Sequence, residues 1–314
     1  MLPEPLKNAF LRSLKPTFKV SLVMLKVFIP LSLLTLLLRQ MGVLEYLAPV
    51  FSPLMSLIGL PGEAAITLLV GFTNTIYAAL ATAAAMDLTA RQITILGVVL
   101  GISHSLFVET GILTNLRMAT VRIALFRIVV AFAAGILLNV VMPEMGNIAS
   151  HQRLSGEAFS WVKALLQVGA TSLQIIGIIF AITFGYELVT LWKRTARFKE
   201  RVGFLTSTVG MSDRAVAPWI VGFIVGITYG AALLYQFGEK RPLSHKDACL
   251  ITVFLCLAHA VIEDTLLFVV VGGDAAWIFL TRVLMAVLVV RILSTANLYK
   301  HFLWIGLPQD RTHD

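Results

Sequence analysis

Apolar residues in this chain occur in runs of about twenty, and short polar or Gly- and Pro-containing segments separate the runs. A helix of about 20 residues crosses a hydrocarbon layer of about 30 Å, because each residue adds about 1.5 Å. This pattern predicts a helical membrane protein. The predicted helices are 20–38, 61–86, 90–113, 120–142, 160–190, 213–236, 245–270 and 277–298.

Two apolar segments are too short for a comfortable crossing. Residues 46–60 contain Pro49 and Pro53, and we expect this segment to be broken or re-entrant. Residues 202–211 include three consecutive hydroxyl side chains, so this segment can cross only where other helices enclose it.

One segment of the chain is duplicated. Residues 88–110 recur in altered form at 243–265, and the shift of 155 holds without a gap as far as Arg127 and Arg282. A duplication that keeps ionisable residues inside apolar runs is typical of transporters built from two related halves. The shift aligns Thr89 with Ser244, His104 with His259, Glu109 with Asp264 and Thr110 with Thr265. The predicted organisation is a basic, amphipathic lead-in (1–19), a first repeat (20–145), a linker (146–159), a second repeat (160–303) and a C-terminal tail (304–314).

The distribution of positive charge predicts how the halves are oriented. If each half crosses five times, sixteen of the twenty basic residues that flank the crossings lie on one side and four on the other. If each half crosses four times, the split is eleven and nine. The positive-inside rule favours the first arrangement, and an odd number of crossings per half makes the repeats inverted. The predicted fold class is an all-α, polytopic transmembrane bundle of two inverted repeats, with 8–10 crossings and short broken or re-entrant segments.

The composition agrees with a membrane protein and argues against nucleic-acid binding. The chain is 58% hydrophobic and 13% charged, and its net charge is +8. Lys and Arg gather at the ends of the apolar runs, so membrane topology explains the basic excess. Cys249 and Cys256 lie within one predicted helix and form neither a disulfide framework nor a CxxC metal site.

Two acids and two arginines occupy equivalent positions inside apolar helices. Each charged group costs at least about 2.5 kcal/mol at mid-bilayer unless it is paired or faces a polar cavity. Glu109 and Arg127 are equidistant from residue 118, and Asp264 and Arg282 from residue 273, and both midpoints fall at predicted turns. We therefore expect each acid to lie level with its arginine. These pairs are either structural ion pairs, or acids that bind a proton, a cation or a substrate while the arginines tune their affinity.

The histidines and one further acid belong to the same candidate site. Glu263 occupies the position where the first repeat has Val108, which indicates that the two halves are used differently. His104 and Glu109 are five residues apart and do not share a face of a continuous helix, whereas His259 and Glu263 do. A transition-metal site is chemically conceivable, but no HExxH or cysteine set supports it and the arginines oppose a cation, so no metal is predicted.

Other polar residues within apolar helices are candidate lining residues. Asn74 and Tyr77 precede a run of small residues at 78–85, which is typical either of close helix packing or of a substrate-lining face. Lys26 is the seventh residue of its predicted span, and we expect it to turn inward. No phosphate loop, nucleophile elbow or catalytic triad is visible in the sequence, so neither an enzyme nor a cofactor is predicted.

Four short motifs carry a resemblance to a known family: 59-GLPGEAA-65, 71-GFTNTIYAAL-80, 104-HSLFVET-110 and 259-HAVIEDT-265. Through them the chain resembles membrane proteins with the nucleoside-recognition, or Gate, domain. This domain is shared by concentrative nucleoside transporters, the membrane part of ferrous iron transporter B, and spore maturation membrane proteins. The resemblance is strongest over residues 45–142. It implies inverted repeats with broken or re-entrant segments around a central site through which a solute or ion passes.

The expected function is secondary transport, or permeation, of a small polar solute or ion in the bacterial cytoplasmic (inner) membrane. The expected partners are membrane lipid, the solute or ion, and further copies of the chain in a homo-oligomer. Alternating access by rocking of one half against the other would follow from the symmetry. The candidate binding residues are Lys26, Asn74, Tyr77, His104, Glu109, Thr110, His259, Glu263, Asp264 and Thr265, with Arg127 and Arg282 setting the local charge.

Two other functions remain open. A non-transporting assembly or scaffold protein predicts sealed ion pairs and no cavity. A divalent metal permease predicts that the acids and histidines converge without arginine contact.

Overall fold

The computed structural model describes residues 4–114, 118–145, 160–191, 208–212, 215–226 and 244–302. The regular elements of these residues are helices, which confirms the predicted all-α class. The helices are α1 (Glu4–Gln40), α2 (Val43–Leu57), α3 (Ala64–Thr73), α4 (Ile76–Ala84), α5 (Ala90–Ser103), α6 (Leu106–Thr114), α7 (Thr120–Val141), α8 (Trp161–Leu191), α9 (Val216–Val225), α10 (His245–Ala258), α11 (Val261–Val270) and α12 (Ala275–Thr295), followed by a 3₁₀ turn, Leu298–Phe302.

Six stretches of the described chain are long and apolar enough to cross a membrane. Two of them, Ala90–Leu113 and His245–Val270, are mostly buried, whereas fewer than half of the residues in the other four are buried. The two buried spans contain the duplicated histidines and form the centre of the bundle. The outer spans present apolar side chains outward, as lipid contact requires. The remaining spans are Glu4–Gln40, Thr120–Val141, Trp161–Leu188 and Ala275–Thr295.

Helix α1 joins the predicted lead-in and first span in one continuous helix of 37 residues. It packs along α8, the first long helix of the second half. The hydroxyls of Thr17 and Thr183 lie 2.6 Å apart, and the ring of Phe10 meets that of Phe180 edge-on with centroids 5.5 Å apart. The equivalent first helices of the two halves therefore pack against each other.

Segment 46–60 differs from its prediction. Pro49 and Pro53 lie inside α2, which is not broken at either residue. Each proline removes only its own N–H from the ladder, and the neighbouring hydrogen bonds keep the helix continuous. At 15 residues, α2 is about 22 Å long and shorter than the hydrocarbon layer. Of the other short segment, 202–211, only residues from 208 onward lie within the described chain.

The two central spans are each broken beside a histidine. The prediction of continuous helices over 90–113 and 245–270 is wrong at this point, although the side chains of Thr89 and Ser244 cap their N-termini as predicted. Ser105 and Ala260 have positive φ angles of 48° and 42°, which end one helix and allow another to begin.

Backbone groups outside the central spans bind the freed N–H groups at both breaks. The N–H of Ser105 donates to the carbonyl of Gly71 at 2.8 Å, and that of Ala260 donates to the carbonyl of Gly222 at 3.4 Å. The motif containing Gly71 recurs at Gly222 with a shift of 151. Each break is therefore stabilised by an equivalent glycine of its own repeat.

A third break divides the predicted helix 61–86 into α3 and α4. The chain bends at Asn74 and is extended at Thr75, and the Thr75 side chain accepts a hydrogen bond from the backbone N–H of Ala78. A threonine that caps the second helix in this way favours a break over a continuous helix.

Contacts across the centre establish how the repeats are related. Going from Gly97 to His104, the neighbouring residues of the second repeat run from Phe268 back to His259. The two equivalent spans are therefore antiparallel. Because a duplication that places equivalent helices antiparallel has its two-fold axis in the membrane plane, the predicted inverted repeats are confirmed.

Candidate functional site

The two histidines meet where the broken spans cross. The rings of His104 and His259 lie with their centroids 5.1 Å apart, and both side chains are buried. Nδ1 of each ring lies close to a carbonyl oxygen one turn earlier, Leu100 O at 2.8 Å and Leu255 O at 2.7 Å. A carbonyl only accepts hydrogen bonds, so both Nδ1 atoms carry a hydrogen and both Nε2 atoms are left for the centre.

Glu109, in the first turn of α6, joins the two repeats. Its Oε1 lies 3.1 Å from Nε2 of His104 and 3.1 Å from Nε2 of His259. Its Oε2 lies 2.7 Å from Nη2 of Arg127. The expectation that His104 and Glu109 do not share a face is wrong for the folded chain, because it assumed a continuous helix and the helix breaks between them.

Arg127 performs two tasks in the first repeat. Besides contacting Glu109, it donates from Nε to the carbonyl of Ile102 at 2.8 Å and from Nη2 to that of His104 at 3.0 Å. These carbonyls lie at the end of α5, where the helix leaves its acceptors unpaired. A cation at this end of a helix is also favoured by the helix dipole. Arg127 therefore stabilises the break as well as the acid.

Arg282 performs the same tasks in the second repeat. Its Nη1 lies 2.9 Å from Oδ2 of Asp264, and Nη2 donates to the carbonyl of His259 at 2.9 Å. Nη2 also lies 2.7 Å from the carbonyl of Gly101 in the first repeat. Both arginines are completely buried. The expectation that each acid lies level with its arginine is met in both repeats.

The two equivalent acids are used differently. Glu109 reaches both histidines, whereas Asp264, which is one methylene shorter, pairs with Arg282. One ligand-type atom from each of His104, His259 and Asp264 lies within 4.8 Å of the others. Guanidinium groups contact both acids, so the surroundings oppose a divalent cation. The convergence without arginine contact that a metal permease predicts is not what the structure shows.

Glu263 is directed toward the other repeat. Its Oε1 accepts a 2.6 Å hydrogen bond from the hydroxyl of Tyr77 in α4. The residues share no element, and the bond connects the first repeat to the second. Tyr77 was identified from the sequence as a lining residue, but its partner was not.

The remaining predicted site residues lie at the edge of the cluster or away from it. Asn74 is exposed at the break between α3 and α4, and its carbonyl accepts a hydrogen bond from the Ser105 hydroxyl. The hydroxyl of Thr110 donates to the carbonyl of Leu106 within α6. Thr265 is buried, and its hydroxyl has no hydrogen-bond partner within the described parts of the chain.

Lys26 does not turn inward. It is exposed on α1, whereas Met24 and Phe28 on the same helix are completely buried. Two residues correspond to about 200° around a helix, so Lys26 lies opposite the buried stripe. The expectation that Lys26 points inward because of its position along the span is wrong. The apolar stripe of α1 decides which face of the helix packs against the rest of the protein.

Sequence reasoning missed Ser105, which contributes both its N–H and its hydroxyl to the break. The sequence contains only a weak signal for this role. Ser105 aligns with Ala260, so each repeat has a small residue directly after its histidine.

Comparison with known proteins agrees with the resemblance and with the membrane character of the chain. Residues 21–150 match the family model described as Gate, nucleoside recognition, which confirms the resemblance to this family for the first part of the chain. The chain is also similar to an uncharacterized membrane protein of Bacillus subtilis (strain 168), YvoD, with 29% identity over 290 residues that cover 90% of this chain and 93% of that protein. No solved structure matches the chain. The protein is a multi-pass membrane protein.

Proposed function

We propose that this protein is a secondary transporter or permease that binds a small polar solute or ion between its two inverted repeats. One observation carries the proposal: two broken membrane helices, equivalent by duplication, meet at a buried cluster of two histidines and two acids. Ionisable residues within membrane spans mark solute and ion pathways, because burying them without a task is costly.

The broken backbone supports the same proposal. Non-helical backbone at membrane depth is tolerated only inside protein or beside a water-filled cavity. Discontinuous helices at the interface of inverted repeats are the usual solute and ion sites of secondary transporters. Asn74 is exposed at one of these breaks, and Tyr77 and Glu263 are only partly covered. We therefore expect the solute to enter the site from the side on which these three residues lie.

The contacts divide into two groups that suit a rocking movement. Each acid–arginine pair, Glu109 with Arg127 and Asp264 with Arg282, lies within one repeat and can move with it. The contacts of Glu109 with His259, of Tyr77 with Glu263 and of Arg282 with the carbonyl of Gly101 connect the repeats. Rocking of one half against the other changes this second group, so we assign to it the change between the outward-open and inward-open states.

A scaffold protein without transport activity is the second candidate. The complete burial of Arg127 and Arg282 in ion pairs favours it, because such pairs would hold the hairpins together in a static assembly as well. A static assembly does not explain the contacts between Glu109 and two histidines from different repeats.

The test is a solute-uptake screen in proteoliposomes that contain the full chain. We expect the parent to take up a small polar solute or ion, and Glu109→Gln, Asp264→Asn and Glu263→Gln to lose most of this uptake. Glu144→Gln is the matched control and should leave uptake unchanged, because Glu144 is almost fully exposed just after the C-terminus of α7. Thermal unfolding in detergent verifies that each variant is folded. If folded variants of these three acids all transport at the parental rate, the assigned site is wrong.

The location belongs to the same proposal. We place the protein in the cytoplasmic membrane of a bacterium, since the similar YvoD is a bacterial membrane protein. Assembly into a homo-oligomer stays a prediction.

A further inference from the structure

We propose that His104, His259 and Glu109 together hold one proton, and that this proton is the ion coupled to transport. Binding of the proton follows from the geometry of the cluster, whereas its role as coupling ion rests on the proposed function. The argument has two independent parts, a count of hydrogen-bond donors and a count of charges.

The donor count shows that a hydrogen is needed between the three side chains. Both Nδ1 atoms are committed as donors to backbone carbonyls, so each neutral ring has only a lone pair at Nε2. An ionised carboxylate also only accepts. Three acceptors would then converge, with Glu109 Oε1 3.1 Å from each Nε2. Such a contact is repulsive until a proton turns one of the three groups into a donor.

The charge count gives the number of protons. Within the described chain, the titratable groups that face the cluster from the surrounding helices are Tyr77 from α4, Glu109 from α6, Arg127 from α7, Cys256 from α10, Glu263 and Asp264 from α11, and Arg282 from α12. Helices α3 and α9 carry no titratable residue, and those of α8 lie near its ends.

Three carboxylates then face two guanidinium groups, with the Cys256 thiol and the Tyr77 hydroxyl neutral. The cluster has one excess negative charge, which is costly in a buried region. One proton makes it neutral, whereas two would leave an excess positive charge. The donor count requires at least one proton, and the charge count limits the number to one.

The excess charge comes from one difference between the repeats. The first repeat has Val108 where the second has Glu263, and every other acid of the cluster has its own arginine. The Glu263 carboxyl accepts a hydrogen bond from Tyr77, and a donor at this position favours the ionised form over the protonated form. Removal of the Glu263 charge should therefore release the proton, although Glu263 itself does not contact the histidines. Without a hydrogen between them, Oε1 of Glu109 and the two Nε2 atoms should then move apart.

The proton lies where the two repeats meet, so its binding depends on how the repeats are placed relative to each other. Glu109 contacts one histidine of its own repeat and one of the other repeat. A proton at this point adds a hydrogen bond between the two repeats, across the interface that changes during rocking. Loss of the proton removes that bond. Any state that separates the repeats therefore binds the proton less tightly, which is the reciprocal coupling that a transporter needs.

The site is tested by ¹⁵N NMR of the full-length protein, labelled at its six histidines and kept near neutral pH with a chelator. His104→Gln and His259→Gln assign the two rings. We expect the parent to carry one proton in addition to the two Nδ1 hydrogens, shared across the two Nε2 atoms and Glu109. Glu263→Gln should abolish this proton, and the exposed control Glu144→Gln should retain it.

Four results would overturn the proposal. The first is two neutral rings and an ionised Glu109 in the parent. The second is retention of the proton in folded Glu263→Gln. The third is an infrared carbonyl band of a protonated acid that disappears in Glu263→Gln, which would place the proton on that residue. The fourth is stoichiometric binding of Zn²⁺ through both Nε2 atoms after the chelator is removed, which would make the cluster a metal site.

Coupling is tested separately with the solute identified by the uptake screen. We expect an inwardly directed proton gradient to accelerate its uptake severalfold in the parent but not in Glu263→Gln. Solute uptake that does not respond to the gradient would overturn the coupling role. If no solute is taken up at all, the proposed function fails, whereas the NMR result still decides whether the proton is bound.

Discussion

Glu109 and His259 come from different repeats, yet a carboxylate oxygen of one lies 3.1 Å from Nε2 of the other. The contact forms because both spans break at equivalent positions and run antiparallel through the centre. Each break directs a side chain toward the two-fold axis. In a continuous helix, the same side chain would point elsewhere. The centre of the protein is therefore a product of duplication and of helix interruption together.

Removal of one arginine should strongly destabilise the fold. Arg282→Met leaves the buried Asp264 carboxylate unpaired, and breaking a buried ion pair in this way costs about 3–5 kcal/mol. Unfolding in detergent measures the loss. Lys26→Met, at an exposed position, should change stability by less than about 0.5 kcal/mol.

A double variant separates this charge effect from lost packing. Arg282→Met combined with Asp264→Leu removes both charges and should regain part of the stability. If the double variant is as unstable as the sum of the two single variants, the ion pair is not the cause.

The break in the second repeat should become more stable with glycine. Ala260 has a φ angle of 42°, a conformation that costs an alanine about 1–2 kcal/mol and a glycine very little. Ala260→Gly is expected to raise stability by up to about 1 kcal/mol in the same unfolding assay, since glycine also gains freedom in the unfolded chain.

The equivalent variant in the first repeat is the comparison. Ser105→Gly relieves the same strain but loses the hydroxyl that donates to the carbonyl of Asn74. We expect it to be less favourable than Ala260→Gly by about 1 kcal/mol, the net value of one hydrogen bond. Equal effects of both substitutions would show that the hydroxyl contributes nothing.

The approach of the two repeats depends on Gly101. A β-carbon at this residue would lie 2.7 Å from Nε of Arg282, a completely buried side chain without space to withdraw. Gly101→Ala should therefore destabilise the protein by about 1–3 kcal/mol.

Gly169 provides the matched control for this substitution. It lies within α8 and has no neighbouring atom near an added β-carbon. Gly169→Ala should stabilise by about 0.5–1 kcal/mol, because alanine is the better helix former. The two substitutions should differ in sign, and a destabilising Gly169→Ala would contradict the packing of α8.

The bond between Tyr77 and Glu263 should matter for transport more than for stability. Tyr77→Phe removes the only hydroxyl that the described chain offers to Glu263 while keeping the ring. A hydrogen bond to a charged group contributes about 1.5–3 kcal/mol, so uptake should fall about tenfold or more if the bond forms only in one transport state.

A double-variant cycle verifies this contact. Tyr77→Phe with Glu263→Gln should transport no worse than Glu263→Gln alone, because the two residues act through one bond. Additive losses in uptake would show that they act independently.

The local sequence determined much of the architecture. Apolar runs gave three of the four outer helices within a few residues, as for 120–142 against Thr120–Val141, because a membrane span needs a fixed length of apolar surface. The fourth, α1, includes the predicted lead-in and begins at Glu4. The duplication gave the two repeats, and the distribution of positive charge gave their inverted orientation. The equal distances of Glu109 and Arg127 from one turn predicted their pairing, because the two helices of a hairpin have the same rise per residue.

Only the tertiary structure decided what happens at the centre. Neither Ser105 nor Ala260 is a glycine or a proline, so nothing local indicates a left-handed residue at either position. The breaks exist because Gly71 and Gly222 supply carbonyls to the freed N–H groups and the arginines bind the freed carbonyls. All of these partners are distant in sequence.

The contacts between the repeats depend in turn on those breaks. With continuous helices, His104 and Glu109 would point in different directions and Glu109 would not reach His259. The sequence determined which residues are too polar to face lipid, because that is a property of each side chain. Which of them meet was decided by hydrogen bonds between helices, which no local pattern encodes.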